Sequence, residues 1–137
     1  MPALPESSTK LPDSAFSLVH ATRAFGTVRA VDAVTLDFAR GRTSILIGSS
    51  GSGKSTLLRM LIGLEWPTAG DVFCDGERLR RESVLAVRRR VGYVIQDGGL
   101  FPHLTVLGNL ALLPRHVGWS PSRVRERARE LAALAHL

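Results

Sequence analysis

An α/β fold built around a phosphate-binding loop is what this sequence predicts, on three observations. The string Gly48-Ser49-Ser50-Gly51-Ser52-Gly53-Lys54-Ser55-Thr56 matches the pattern of such a loop. Residues 43–47, Thr-Ser-Ile-Leu-Ile, precede it as a short apolar run that reads as a buried strand. Leu57, Leu58, Leu61 and Ile62 follow it at helical spacing. A Gly/Ser-rich turn matches looser versions of the pattern by chance. The complete string between an apolar strand and an apolar helix is a much more demanding coincidence.

Each residue type in the loop has a chemical reason. Glycines at 48, 51 and 53 let the backbone take φ angles closed to most residues, so that successive N–H groups turn inward toward an anion. The start of the following helix adds unpaired N–H groups and a partial positive charge. Lys54 is expected to reach the β- and γ-phosphates of a nucleoside triphosphate, and the Ser55 hydroxyl to help hold Mg2+. Thr56 is expected to support the loop. Ser49, Ser50 and Ser52 complete the wall around the phosphates.

The other elements follow in order. Residues 16–21 and 28–38 are β-rich, with Gly26-Thr27 as the turn between them. Gly63 and Pro67 end the helix after the loop. Residues 70–76 read as a strand closing on the Asp75-Gly76 turn, and residues 84–90 as a short amphipathic helix. Residues 91–95, Val-Gly-Tyr-Val-Ile, form another apolar run that reads as a strand. A helical pattern returns from Thr105 to Pro114, and Ser120-Pro121 marks a further helix start, with Ser120 as N-cap. That last helix sets Val124, Ala128, Leu131 and Ala135 on one face.

Composition bounds the function class. A chain of 137 residues that is 45% hydrophobic supports one core. No apolar run reaches the roughly 18 residues that span a bilayer, because Arg59, Asn109 and Arg115 interrupt the best candidates. Residues 1–14 read as a disordered tail without the apolar centre of a signal peptide, which points to the cytoplasm. Cys74 is the only cysteine and is expected to be a small strand residue, so no disulfide forms within the chain. The net charge is +6, with much of the excess in Arg78 to Arg81, Arg88-Arg89-Arg90 and Arg123 to Arg129. These arginines are not interleaved with aromatic residues. A solvated face or a partner-subunit contact is expected there, not direct binding of nucleic acid.

With these motifs in view, the chain resembles the N-terminal part of an ATP-binding cassette (ABC) transporter ATPase subunit from about Phe16 onward. The resemblance implies a P-loop NTPase fold of the ABC type: an N-terminal β subdomain, a P-loop core and the start of a helical subdomain. Phe25 stands at the aromatic position where the family stacks adenine. Gln96 stands at the end of the 91–95 run where the family has its Q-loop glutamine, implied to approach Mg2+ or the attacking water. Packing alone accounts for an aromatic such as Phe25, and a strand-end amide for a glutamine such as Gln96; the placement of both relative to the loop favours the family reading. His103, in Phe101-Pro102-His103-Leu104-Thr105, belongs to a segment near the transporter interface and is distinct from the family's switch histidine. Trp66 and Trp119 are expected to be packing anchors.

A finer resemblance runs through Tyr93 to Gln96, Gly99 to Val106, Ala111 to Arg115 and Gly118-Trp119-Ser120. These are similar to ATPase subunits that import osmoprotectants such as glycine betaine, choline or related quaternary amines. Asp97-Gly98 departs from that pattern, and Gly108 replaces an acidic residue, which is expected to weaken or delay the helix there. The family implies ATP and Mg2+ as cofactors, a transmembrane permease subunit as partner, and a second ATPase subunit arranged head to tail. It places the protein on the inner face of the cell membrane through the permease.

After Gln96 the sequence shows no LSGGQ-like signature, no apolar strand ending in Asp-Glu and no switch histidine. The expectation is therefore a partial ABC ATPase domain over residues 15–137, incomplete toward its C-terminus, that binds ATP but hydrolyses it poorly alone. The competing expectation is a non-catalytic ATP-binding or interface module.

Overall fold

The computed structural model describes residues 14–96 and 98–136. The expected tail through Asp13, the Asp97 departure and Leu137 lie outside the described residues; Ser14, assigned to the tail, opens the first strand. The chain divides between Gly92 and Tyr93 into two compact units.

In the first unit, strands β1 (Ser14–Phe25) and β2 (Val28–Ala39) form an antiparallel hairpin turning at Gly26. Strand β3 (Ala69–Cys74) pairs with the other edge of β1. It turns at Asp75-Gly76 into the short β4 (Glu77–Arg78), giving the order β2-β1-β3-β4. Helix α1 (Lys54–Leu61) lays Leu57, Met60 and Leu61 on the sheet, residues that share a helix face at i, i+3 and i+4. They join Leu18, Ala21, Val31 and Val72 in the core, which Leu79 and Val84 of the segment leading into α2 (Val84–Arg88) extend. Each such buried Leu, Val or Met side chain contributes about 1.5–3 kcal/mol.

Leu18 and Ala21 both face this core although they are three residues apart, an odd spacing that strict strand alternation forbids. The register of β1 shifts between them, with His20 at φ 46. Opposite, Ala33 also has φ 46; the His20 amide donates to Thr35 Oγ1 at 3.0 Å and the Ala33 amide to Thr22 Oγ1 at 2.9 Å. A bulge thus re-phases the strand and gives both lengths of β1 the same buried face.

Two expected strands are corrected. Neither residues 43–47 nor residues 91–95 join a ladder among the described residues. A run apolar on both faces suits a strand buried between other layers, but backbone pairing needs a neighbour as well as composition. Without one, Ile45 and Ile47 stand 77% and 92% exposed.

The arginine runs are corrected in part. Arg88 is half-buried, donating from Nε to the Ile62 carbonyl at 3.0 Å and from Nη2 to the Gly63 carbonyl at 2.5 Å. Arg90 pairs with Asp75 Oδ2 at 2.6 Å, and Arg78 with Asp71. The carbonyls left over at the end of α1 give Arg88 a structural task.

The second unit holds α3 (Val106–His116) and α4 (Pro121–Leu134), packed as a helical hairpin. Thr105 caps α3 by accepting from the Gly108 amide at 3.0 Å, so the glycine does not delay the helix. The helix also continues past Pro114, its expected end, to His116. The ring removes one donor, yet Val117 N donates to Leu113 O at 3.0 Å and Trp119 N to Pro114 O at 2.9 Å. Ser120 caps α4 as expected, and Val124 is buried, Ala128 and Leu131 half-buried, with Ala135 exposed past the helix end. Among the described residues, no helix is long and apolar enough to cross a membrane.

Candidate functional site

The loop from Gly48 to Gly53 delivers the chain onto the N-terminus of α1. Gly53 occupies the N-cap position at φ 88, in the left-handed region that glycine tolerates and other residues resist. No side chain caps the helix there, and its first turn carries no acidic residue. The leading amides are therefore left to an external acceptor and face no competing negative charge.

Lys54 bends back over the loop. Its Nζ donates to the carbonyl oxygens of Gly48 at 2.8 Å and Ser49 at 2.6 Å, and lies 3.2 Å from Ser52 Oγ. The ammonium thus gathers residues 48, 49 and 52 around one point, reinforced by Ser52 N donating to Ser49 O at 3.3 Å. Ser49, Ser50 and Ser55 are exposed and Thr56 is half-buried. Beside the lysine an open hollow of about 310 Å³ is lined by Val31, Val34, Leu46, Ile47, Lys54 and Leu57.

The loop is seated on β2. A methyl group placed on Gly53 would lie 2.0 Å from the Ala30 carbonyl oxygen. Val28, two residues before Ala30, is the cross-strand partner of Phe25. Two strand residues span about 7 Å, so the aromatic position and the loop occupy the same end of the hairpin. Phe25 is 45% exposed, with the Arg23 guanidinium carbon 4.4 Å from its ring centroid. Phe25 and residues 48–56 therefore belong to one body. Gln96 lies in the second unit, at an exposed bend.

Around the second unit's first helix, Asn109 closes the preceding loop. Its Oδ1 accepts from Phe101 N at 2.7 Å, and its Nδ2 donates to the carbonyls of Phe101, Leu104 and Thr105 at 3.1–3.3 Å. This knot presents Leu100 and Phe101 to solvent, with His103 edge-on to Phe101 at 5.9 Å between centroids. Trp66 packs against the core beneath Arg81, and Trp119 is half-buried with Arg123 3.9 Å from its ring centroid. Cys74 sits in β3, where burial foremost, then the charge of Asp75, pushes its thiol pKa up. That disfavours the thiolate and agrees with an inert strand residue.

The sequence profile described as ABC transporter matches residues 31–137. The chain belongs to the ABC transporter family. Among similar members, the glycine betaine uptake system ATP-binding protein YehX of Escherichia coli is 45% identical over 118 residues, covering 86% of this chain and 38% of that protein. The glycine betaine/carnitine/choline transport ATP-binding protein OpuCA of Bacillus subtilis is 41% identical over 112 residues, covering 82% and 30%. A solved dimeric ABC cassette, MJ0796 in a post-hydrolysis state bound to ADP and Pi, superposes with a TM-score of 0.77. It is 32% identical, over 89% of this chain and 57% of that one. The fold is that of an ABC ATPase cassette, and the chain spans well under half the length of these curated relatives.

The sequence singled out the loop and Phe25 as candidates but gave no sign of the residues that hold them. Arg23 carried a weak signal, because positions i and i+2 of a strand share a face. Glu65, which pairs with Arg23, and Asn109 as a loop clasp carried none.

Proposed function

We propose that this chain is the nucleotide-binding portion of an ABC importer ATPase subunit, with an osmoprotectant such as a quaternary amine as the transported solute. The solute rests on the relatives' names; the observation that carries the nucleotide site is the Lys54 ammonium, held 2.6–2.8 Å from two loop carbonyls beside an uncapped helix N-terminus. Backbone amides, a helix dipole and one cation converge where a polyanion fits. Gly48, Ser49, Ser50, Gly51, Ser52, Gly53 and Thr56 form the cradle of ATP, Lys54 meets its terminal phosphates, and Phe25 offers a ring face to adenine.

The exposed Ser55 hydroxyl, on the first turn of α1 next to Lys54, suits Mg2+ held jointly with phosphate oxygens, since Mg2+ commonly keeps waters and phosphate ligands in preference to an all-protein cage. Ser55 would supply its hydroxyl to the ion; a role for the side-chain carbonyl of Gln96 rests on family likeness alone. Bound there, the ion would neutralise charge on the phosphates.

The remaining parts of the reading rest on family likeness: a transmembrane permease subunit as partner, a second ATPase subunit head to tail, a cytoplasmic position against the inner face of the membrane, and ATP hydrolysis by the whole subunit. Within these 137 residues no Asp-Glu strand end supplies a general base, a group worth about 10²–10⁴ in rate. Binding with slow turnover is therefore expected of this chain by itself. The alternative is a non-catalytic ATP-binding or interface module, and calorimetry with MgATP separates its interface form, which does not engage nucleotide, from the binding forms. Lys54→Ala should weaken binding about 10- to 100-fold, as expected for charge-assisted hydrogen bonds of about 1.5–3 kcal/mol. Equal affinity of variant and parent would overturn the site.

A further inference from the structure

We propose that Arg23 is a positioning residue for recognition of the nucleotide base, acting through Phe25; this rests on the reading of Phe25 as the adenine contact. Three observations converge on the guanidinium. Its carbon lies 4.4 Å from the Phe25 ring centroid. Its Nη2 pairs with Glu65 Oε2 at 2.8 Å, with both side chains about a quarter exposed. Its Nε is buried and finds no hydrogen-bond acceptor among the described residues, so the electron-rich ring face is its compensating contact.

The geometry gives Arg23 a purpose beyond packing. A cation on one face of an aromatic ring fixes its plane and leaves the other face for a base, and Phe25 is 45% exposed. Glu65 in turn is fixed to the helix that follows the phosphate loop. Its amide donates to Arg59 O at 3.2 Å, beside that of Leu64 at 2.9 Å. Three residues on, Thr68 returns to β1, its N and Oγ1 donating to Thr22 O at 2.7 and 3.1 Å. The series α1, Glu65, Arg23, Phe25 therefore links the phosphate-binding helix to the ring and sets their separation. A base recognised at the ring and phosphates recognised at the loop require such a fixed spacing.

The test compares affinity for MgATP with affinity for magnesium tripolyphosphate, which has the phosphates without the base. In the parent chain ATP should bind the more tightly, and Phe25→Ala should abolish that preference. Arg23→Ala should reduce the preference about three- to tenfold while tripolyphosphate affinity stays within about twofold, and Arg23→Lys, which keeps a cation, should recover most of it. In a Phe25→Ala background, Arg23→Ala should add nothing further.

An unchanged preference in Arg23→Ala, with Phe25→Ala losing it, overturns this proposal and spares the parent reading. Equal weakening of both ligands makes Arg23 merely structural and also overturns it. Tighter ATP binding by Arg23→Ala overturns it too, by showing that the guanidinium competes for the base's face. A parent that binds tripolyphosphate as well as ATP, or binds neither, defeats the base reading itself and this proposal with it. Should Arg23→Ala not fold, Glu65→Gln is read in the same way. It should lower the preference about two- to fivefold, and no change would overturn the link.

Discussion

Gly53 presses its α-carbon so close to the carbonyl of Ala30 that an added methyl group would lie 2.0 Å from that oxygen. The contact joins the loop at residues 48–53 to β2 and leaves neither partner room to move, since both are backbone. Gly53→Ala should therefore cost about 2–4 kcal/mol, combining the left-handed φ with overpacking. Gly41→Ala is the internal control, because Gly41 has φ 67 but nothing within 4 Å of the added atom. Urea unfolding should show a distinctly larger loss for Gly53→Ala, and equal losses would contradict the seat on β2.

Arg88 closes the end of α1 through the Ile62 and Gly63 carbonyls. Arg88→Ala should destabilise the first unit by about 1–3 kcal/mol, because half-buried acceptors lose their donors. Arg88→Lys should recover only part, since an ammonium lacks the planar fork that reaches two carbonyls at once. Full recovery in thermal unfolding would reduce the contact to simple charge.

Asp75 binds Arg90 and Arg40, joining the β3–β4 turn to the chain just beyond α2 and beyond β2. The hydrogen bond from Arg90 first, and that from Arg40 as well, hold its carboxyl below its ordinary pKa of 3.8. A depressed folded-state value means the ion pairs contribute fully above the unfolded pKa, about 4. The contribution disappears as pH falls through the lowered folded value. Asp75→Asn should thus unfold at a lower temperature than the parent at pH 7, with the difference narrowing below pH 4. A gap that widened in acid would reverse the sign and refute the assignment.

Asn109 uses both ends of its amide to hold residues 101–105. Asn109→Ala should speed proteolytic cleavage of that loop and cost about 1–3 kcal/mol. Asn109→Asp should be at least as damaging, because it replaces the donor with an oxygen facing three carbonyls. Protection equal to the parent in Asn109→Asp would show that the amide donor is dispensable.

Local chemistry was legible in the sequence wherever a feature is decided within a few residues. The Gly48–Thr56 string, the Gly26 turn, the Asp75-Gly76 turn and the Ser120 cap all fall where spacing and turn chemistry put them. Residues 43–47 and 91–95 misled because an apolar run reports a demand for burial, while a ladder depends on a partner elsewhere. The bulge at His20 was invisible for a related reason: it becomes necessary only when Leu18 and Ala21 must face the same helix. At the candidate site, the sequence singled out Phe25 and not its support. Arg23 meets Glu65 across 42 positions of sequence, and nothing local to either residue announces the other.

The position of Lys54 has a thermodynamic corollary. Its ammonium is already satisfied by main-chain oxygens of its own loop, so any incoming polyanion has a competitor built into the protein. Net affinity reports the difference between two sets of contacts and understates the strength of either. The same arrangement ties the loop together around a charge offset by main-chain dipoles, so that on the proposed reading a preformed site comes at the expense of tightness.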